Sequence, residues 1–128
     1  MILKGRSIVK GQVNGETLVS KDPISFFGGV DPKTGIVIDK NNSLCGTSIA
    51  GKILVLPSGK GSTVGSYIIY ELKKNNLAPA GLILGECETI LAIGAILAEI
   101  PTIDKIDVSK ISDNQKIKLD ATEGTVEF

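Results

Sequence analysis

Residues 52–86 read KILVLPSGKGSTVGSYIIYELKKNNLAPAGLILGE. An unbroken apolar run, KILVL, opens the stretch, and such a run suits a strand buried on both faces. A helix follows, capped by Ser62 or Thr63 and running to about Asn75, with Val64, Tyr67, Ile68 and Leu72 as its apolar face. PAGLILG (79–85) is a second buried strand. The order strand, helix, strand calls for parallel pairing through a crossover. Outward from this unit, ECETILAIGAILAEI (86–100) reads as a second helix, apolar almost all round, buried as ordinary core and ended by Pro101. TIDKI (102–106) is a third short strand, and KIKLDATEGTVEF (116–128) closes as a hairpin-like pair. Before residue 52 the chain is strands and loops. RSIVKGQVNGETLVS (6–20) places two β-rich runs around Asn14-Gly15, a hairpin signal. DPISFFGGVDPKTGIVID (22–39) is a loop ending in a short strand, Ile36 to Asp39, and KNNSLCGTSIAG (40–51) continues as loop. The expectation is one α/β domain over residues 1–128, a βαβαβ unit with additional antiparallel strands.

Composition removes several classes of function. The 14 basic and 14 acidic residues balance, and aromatics are 4%. Neither bulk charge nor stacking surface attracts nucleic acid or an anionic membrane. The longest mainly apolar stretch, Thr89 to Ile100, is too short to span a bilayer and contains Glu99. The N-terminal MILKGRSIVKG lacks signal-peptide character, which predicts a cytoplasmic location. With no His, two cysteines 42 residues apart and no CxxC, the chain offers no zinc or iron–sulfur site of its own. Reduced thiols are expected at Cys45 and Cys87.

The segment Pro57 to Ser66 is the candidate site. Amides at a helix N-terminus are unsatisfied and the helix dipole is positive there. Gly59 and Gly61 allow close approach of a ligand, Lys60 adds a cation, and Ser58, Ser62, Thr63 and Ser66 supply short donors and acceptors. A small phosphate or carboxylate fits such a cradle. A phosphate-binding P-loop fails because Lys60 is followed by Gly61. The pattern GKGSTVG is also G-x-G-x-x-x-G after a strand, with Glu86 where a ribose-binding acid belongs. A lysine inside the loop and a strand-rich first half argue against a dinucleotide fold. A serine delivered as base remains, and a serine hydroxyl needs activation from outside a chain that has no His.

PSGKGSTVGSYIIYEL (57–72), DPISFFGGVDPKTGIV (22–37) and SLCGTSIAGKILVLPSG (43–59) together resemble the small, swivelling domain of the aconitase X family. The resemblance runs from about Lys4 to Thr122. It implies a swivelling β/β/α fold with layered or barrel-like strands and two main helices. It further implies a partner, a large subunit carrying the iron–sulfur cluster, of 4Fe–4S type. The heteromer so implied is a hydro-lyase that dehydrates (R)-5-phosphomevalonate to trans-anhydromevalonate 5-phosphate in the archaeal modified mevalonate route to isoprenoids. The family's proton acceptor falls on Ser62. Lys60, Gly61, Thr63 and Ser66 are the expected substrate-binding neighbours, joined by Gly28, Gly29 and Asp31 of SFFGGVDPKTG, which shape the substrate mouth or the subunit interface. Adjacent Phe26 and Phe27 cannot both point inward from extended backbone, so one is expected to face the partner. Two other functions remain open at this point. One is a related dehydratase acting on hydroxyproline, and the other is a non-catalytic anion-binding or assembly module.

Overall fold

The computed structural model describes residues 1–60 and 64–128, with the side chains of Lys60 and Val64 outside that description. Its nine strands are β1 (Ile2–Lys4), β2 (Arg6–Val9), β3 (Gln12–Val19), β4 (Ile24–Ser25), β5 (Ile53–Lys60), β6 (Gly81–Glu86), β7 (Thr102–Asp104), β8 (Lys116–Asp120) and β9 (Thr125–Glu127). A tight turn, α1 (Phe26–Gly29), follows β4, and the two main helices are α2 (Val64–Lys74) and α3 (Thr89–Leu97). The hydrogen-bonded order is β1-β9-β8-β3-β5-β6-β7-β2, with β4 paired to β5 off that path. Strands β3, β5, β6 and β7 run parallel, while β1, β9, β8 and β2 join antiparallel.

Side-chain alternation along the central strands builds two cores from one run of sequence. Leu54, Leu56, Leu82 and Leu84 point to one face and pack with Ile69 and Leu72 of α2 and Leu91 and Ala95 of α3. Ile53, Val55, Ile83 and Ile103 point to the other face and meet Ile117, Leu119 and Val126 of β8 and β9. Two β layers and one α layer result, as the β/β/α expectation requires. The first and last strands of the path, β1 and β2, are consecutive in the chain and joined through Gly5. The two ends of the path therefore meet at Gly5, whose amide donates to the Gly124 carbonyl at 2.8 Å in continuation of the β1–β9 pairing.

Several local expectations are corrected. Asn14-Gly15 makes no hairpin; β3 passes straight through it, with Asn14 opposite Lys118 and Gly15 opposite Ile117. Long-range pairing with β8 outweighs the local turn preference of the dipeptide. The direction change lies at Lys10-Gly11, where Gly11 has φ 145° and its amide donates to Thr122 Oγ1. Ile36 to Asp39 is reduced to isolated bridges, Val30 with Val37 and Ile36 with Ser48. In α2 the inward residues are Ser66, Ile69 and Leu72, whereas Tyr67 is 67% exposed. The helix ends at Lys74, and Asn76 in the left-handed region (φ 59°) turns the chain away. Helix α3 is not buried all round, because Ile93, Ile96 and Leu97 are exposed. It stops four residues before Pro101. There Glu99 (φ 55°) is left-handed and the Ile100 amide returns to the Ala95 carbonyl at 3.0 Å. No helix among the described residues is long and apolar enough to cross a membrane.

Candidate active site

The glycine-rich segment sits at the carboxyl end of β5, the position where open α/β sheets bind ligands. The expected loop is shorter than its sequence suggests. Pro57 through Lys60 is strand, in register with Ile24 and Ser25 of β4 on one side, and Ser58 faces Glu86 of β6 on the other. Gly59 and Lys60 therefore serve as paired backbone. Only 61–63 links that strand to α2. Gly61, Ser62 and Thr63 lie outside the described residues, as does the Lys60 side chain.

The flanks of 61–63 are well defined. A methyl group added at Gly65 would lie 3.9 Å from the Phe27 amide nitrogen and 4.0 Å from Phe26 Cβ, so the first turn of α2 rests on the α1 turn. Two motifs separated by some 30 residues of sequence thus share one rim. Phe26 is buried and Phe27 is 56% exposed beside the start of α2. Ser25 Oγ donates to the Phe27 carbonyl at 3.1 Å and helps hold the turn. Gly28 has φ 81° and an added Cβ there would meet nothing within 4 Å, so its exposed backbone is open to approach. Gly29 is buried, and its carbonyl accepts from the Ile38 amide at 2.9 Å. Ser66 is buried in the first turn of α2. Asp31 stands apart: its carboxylate accepts from the Lys33 amide at 2.9 Å and closes its own turn. The structure therefore sets the α1 turn, which ends in Gly28 and Gly29, against the first turn of α2, which holds Ser66, and the Asp31 carboxylate closes its own turn.

A polar cluster that sequence inspection did not single out lies farther along the same rim. Asp104, at the carboxyl end of β7, is fully buried and accepts from Arg6 Nε at 2.9 Å and Nη2 at 2.7 Å. The Cys87 amide donates to its second oxygen at 3.0 Å. Burial acts to raise the Asp104 pKa, but the Arg6 fork, the Cys87 amide and the Arg6 charge outweigh it, and the carboxyl is held below its ordinary value. The signal in the sequence was an aspartate ending an apolar strand, and its partner was 98 residues away. Glu86, the residue in the ribose-acid position, is paired instead with Lys105 Nζ at 2.5 Å.

Burial, followed by the negative charge of Asp104, pushes the Cys87 thiol up to about 11. Cys45 is exposed. A neutral alkylating reagent at pH 8 is expected to modify Cys45 at least ~10-fold faster than Cys87 in the folded chain, as read by intact mass and peptide mapping. Equal rates would contradict the buried, protonated state of Cys87. Among the described residues no three Cys, Asp or Glu side chains converge on a metal position. With no His and with thiols in these two settings, the residues present do not fit an iron–sulfur cluster.

Residues 2–128 match the family model described as the aconitase X swivel domain. The phosphomevalonate dehydratase small subunit of Thermococcus kodakarensis is 60% identical over 128 residues, covering 100% of this chain and 96% of that one. The protein of the same name from Thermococcus onnurineus is 59% identical over 127 residues, covering 99% and 98%. The crystal structure of Thermococcus kodakaraensis aconitase X in its holo-form superposes with a TM-score of 0.98 at 59% identity, over 99% of this chain and 97% of that chain.

Proposed function

Because the chain belongs to the aconitase X swivel-domain family, we propose that it is the small subunit of a two-chain hydro-lyase acting on (R)-5-phosphomevalonate, with Ser62 as proton acceptor. The product is trans-anhydromevalonate 5-phosphate, a step of the modified mevalonate route to isoprenoids. Full-length similarity to relatives named as phosphomevalonate dehydratase small subunits supports the substrate. What supports the role of Ser62 is its place in the chain, between the end of β5 and the start of α2, whose first turn rests on the α1 turn through Gly65.

The reaction removes a proton from the carbon next to a carboxylate and expels a hydroxyl from the neighbouring carbon. The C–H electron pair becomes the new C=C bond as anionic Ser62 Oγ takes the proton, and the C–O bond breaks with its pair on the hydroxyl. The proton then passes from Ser62 through solvent to that hydroxide, giving water and restoring the base. Such a proton is weakly acidic, so the base must be held close and its anionic form favoured. The start of α2 contributes the positive end of the helix dipole, and Lys60 contributes a cation. Lys60, Gly61, Thr63 and Ser66 line the anionic substrate, with Gly28 and Gly29 at its mouth. The iron–sulfur cluster belongs to the large subunit, since this chain's described residues do not fit one. Phe27, exposed at this rim, is the aromatic side chain covered by that subunit.

The test is reconstitution. Mixing this chain with the large subunit is expected to give phosphomevalonate-dependent formation of the unsaturated product, with neither chain active alone. Turnover of a hydroxyproline with no turnover of phosphomevalonate would overturn the substrate. Full activity of the large subunit alone would reduce this chain to an assembly module.

A further inference from the structure

The helix pair behind the rim is packed unusually closely at one point. A methyl group added to Gly94 of α3 would lie 2.9 Å from Ile69 Cδ1, 3.0 Å from Ser66 Cα and 3.3 Å from Ser66 Cβ. The Ile69 methyl is the end of a flexible side chain and can rotate aside. Ser66 Cα is backbone and cannot move without its helix. Ser66 is the third residue of α2, four residues beyond Ser62, and is itself buried. On its other side the same turn rests on the α1 turn through Gly65, at ordinary contact distance from the Phe27 amide nitrogen and Phe26 Cβ. The first turn of α2 is therefore gripped from both flanks. Of the two contacts, only the one at Gly94 has no room for a single methyl group.

We propose that Gly94 is a positioning residue for the reaction: by letting α3 approach the backbone of α2 at Ser66, it sets where residues 61–63 are presented. The inference rests on the role of Ser62 given above. Filling the Gly94 contact displaces the start of α2 by a few tenths of an ångström. Proton transfer is sensitive on that scale, because a constellation held outside about 0.5 Å of its productive geometry loses rate. The displacement acts on kcat more than on KM, since proton transfer is steeper in distance than the binding contacts of Lys60, Gly61, Thr63 and Ser66, and the partner and the α1 turn hold the substrate as well.

The experiment compares Gly94→Ala, Gly81→Ala and Ser62→Ala small subunits, each assembled with the wild-type large subunit. Gly81 is the packing control, because its added methyl would press on Leu119 Cδ2 at 2.7 Å, inside the core remote from α2. Gly94→Ala is expected to lower kcat ~10-fold or more with KM changed less than ~2-fold, measured below the melting temperature. It is also expected to shift the backbone amide resonances of Gly65 and Ser66. Gly81→Ala is expected to lower the melting temperature while kcat holds. If Gly94→Ala keeps normal kcat while Ser62→Ala is inactive, the Gly94 inference fails and the role of Ser62 stands. If Ser62→Ala is active, the role of Ser62 fails, and Gly94 falls with it as a positioning residue. Should Gly94→Ala not fold, Gly94→Ala with Ile69→Val, which removes the Ile69 Cδ1 contact and leaves that with Ser66, tests the same contact. Normal kcat in that variant would equally overturn the inference.

Discussion

Replacing Ser62 by alanine in the assembled enzyme is expected to lower kcat by ~10²–10⁴, the range lost with a positioned acid–base group. KM for phosphomevalonate should stay within ~3-fold, because a small hydroxyl acting on one proton adds little to ground-state binding. The reason for so large an effect is the absence of a substitute. The chain has no His, and the Asp31 carboxylate is engaged by the Lys33 amide in a separate turn. Glu86 is ion-paired with Lys105, and the Asp104 carboxylate is buried against Arg6. None of these is free to take over proton removal. Loss of deuterium exchange at the carbon next to the substrate carboxylate, measured alongside turnover, assigns the defect to the proton step. A variant with kcat within ~2-fold of wild type would remove Ser62 from the chemistry.

Gly5→Ala carries the largest expected effect on stability. A Cβ at position 5 would sit 2.2 Å from the Asp104 carbonyl oxygen and 2.8 Å from Ile106 Cδ1. The first contact is with backbone, and this is where the two ends of the strand path meet. Relief requires β2 to separate from β7, the pair in which Arg6 faces Asp104. That movement also opens the Arg6–Asp104 fork and the Cys87 amide contact on the same carboxylate. Overpacking usually costs about 1–3 kcal/mol, and a coupled backbone shift puts this site at or above the upper end. For a domain of this size the melting temperature should fall by ~10 °C or more. Thermal unfolding followed by circular dichroism gives the answer. A shift under ~2 °C would mean that this junction is looser than the 2.2 Å approach indicates.

The central strands were legible because their signal is local. ILVL and GLIL are apolar at consecutive positions, which only a strand covered on both faces tolerates, and β5 and β6 are so covered. The two main helices were legible by length and apolar content, and the face of α2 only in part, with Leu72 buried and Ile68 packed on the core as expected. Tyr67 was expected inward, yet Ile69 holds that place, because the direction of burial depends on what α3 offers through Gly94. Likewise β5 runs on to Lys60 because β4 pairs with Gly59 and Lys60. In the sequence, Ser58 to Lys60 look like loop, since Gly and Ser signal a turn only where no neighbouring strand claims their backbone.

By itself the sequence determined that residues 52–106 hold alternating strands and helices, that a glycine- and serine-containing segment precedes α2, and that this chain has no histidine to activate a serine. The tertiary structure decided that β3 runs through Asn14-Gly15, that the two ends of the strand path, β1 and β2, meet at Gly5, and that the α1 turn lies against α2. It also joined Arg6 to Asp104. The division follows from range. Propensity and periodicity act over a few residues, whereas these pairings join segments tens of residues apart, and their free energy exists only once both partners are in place.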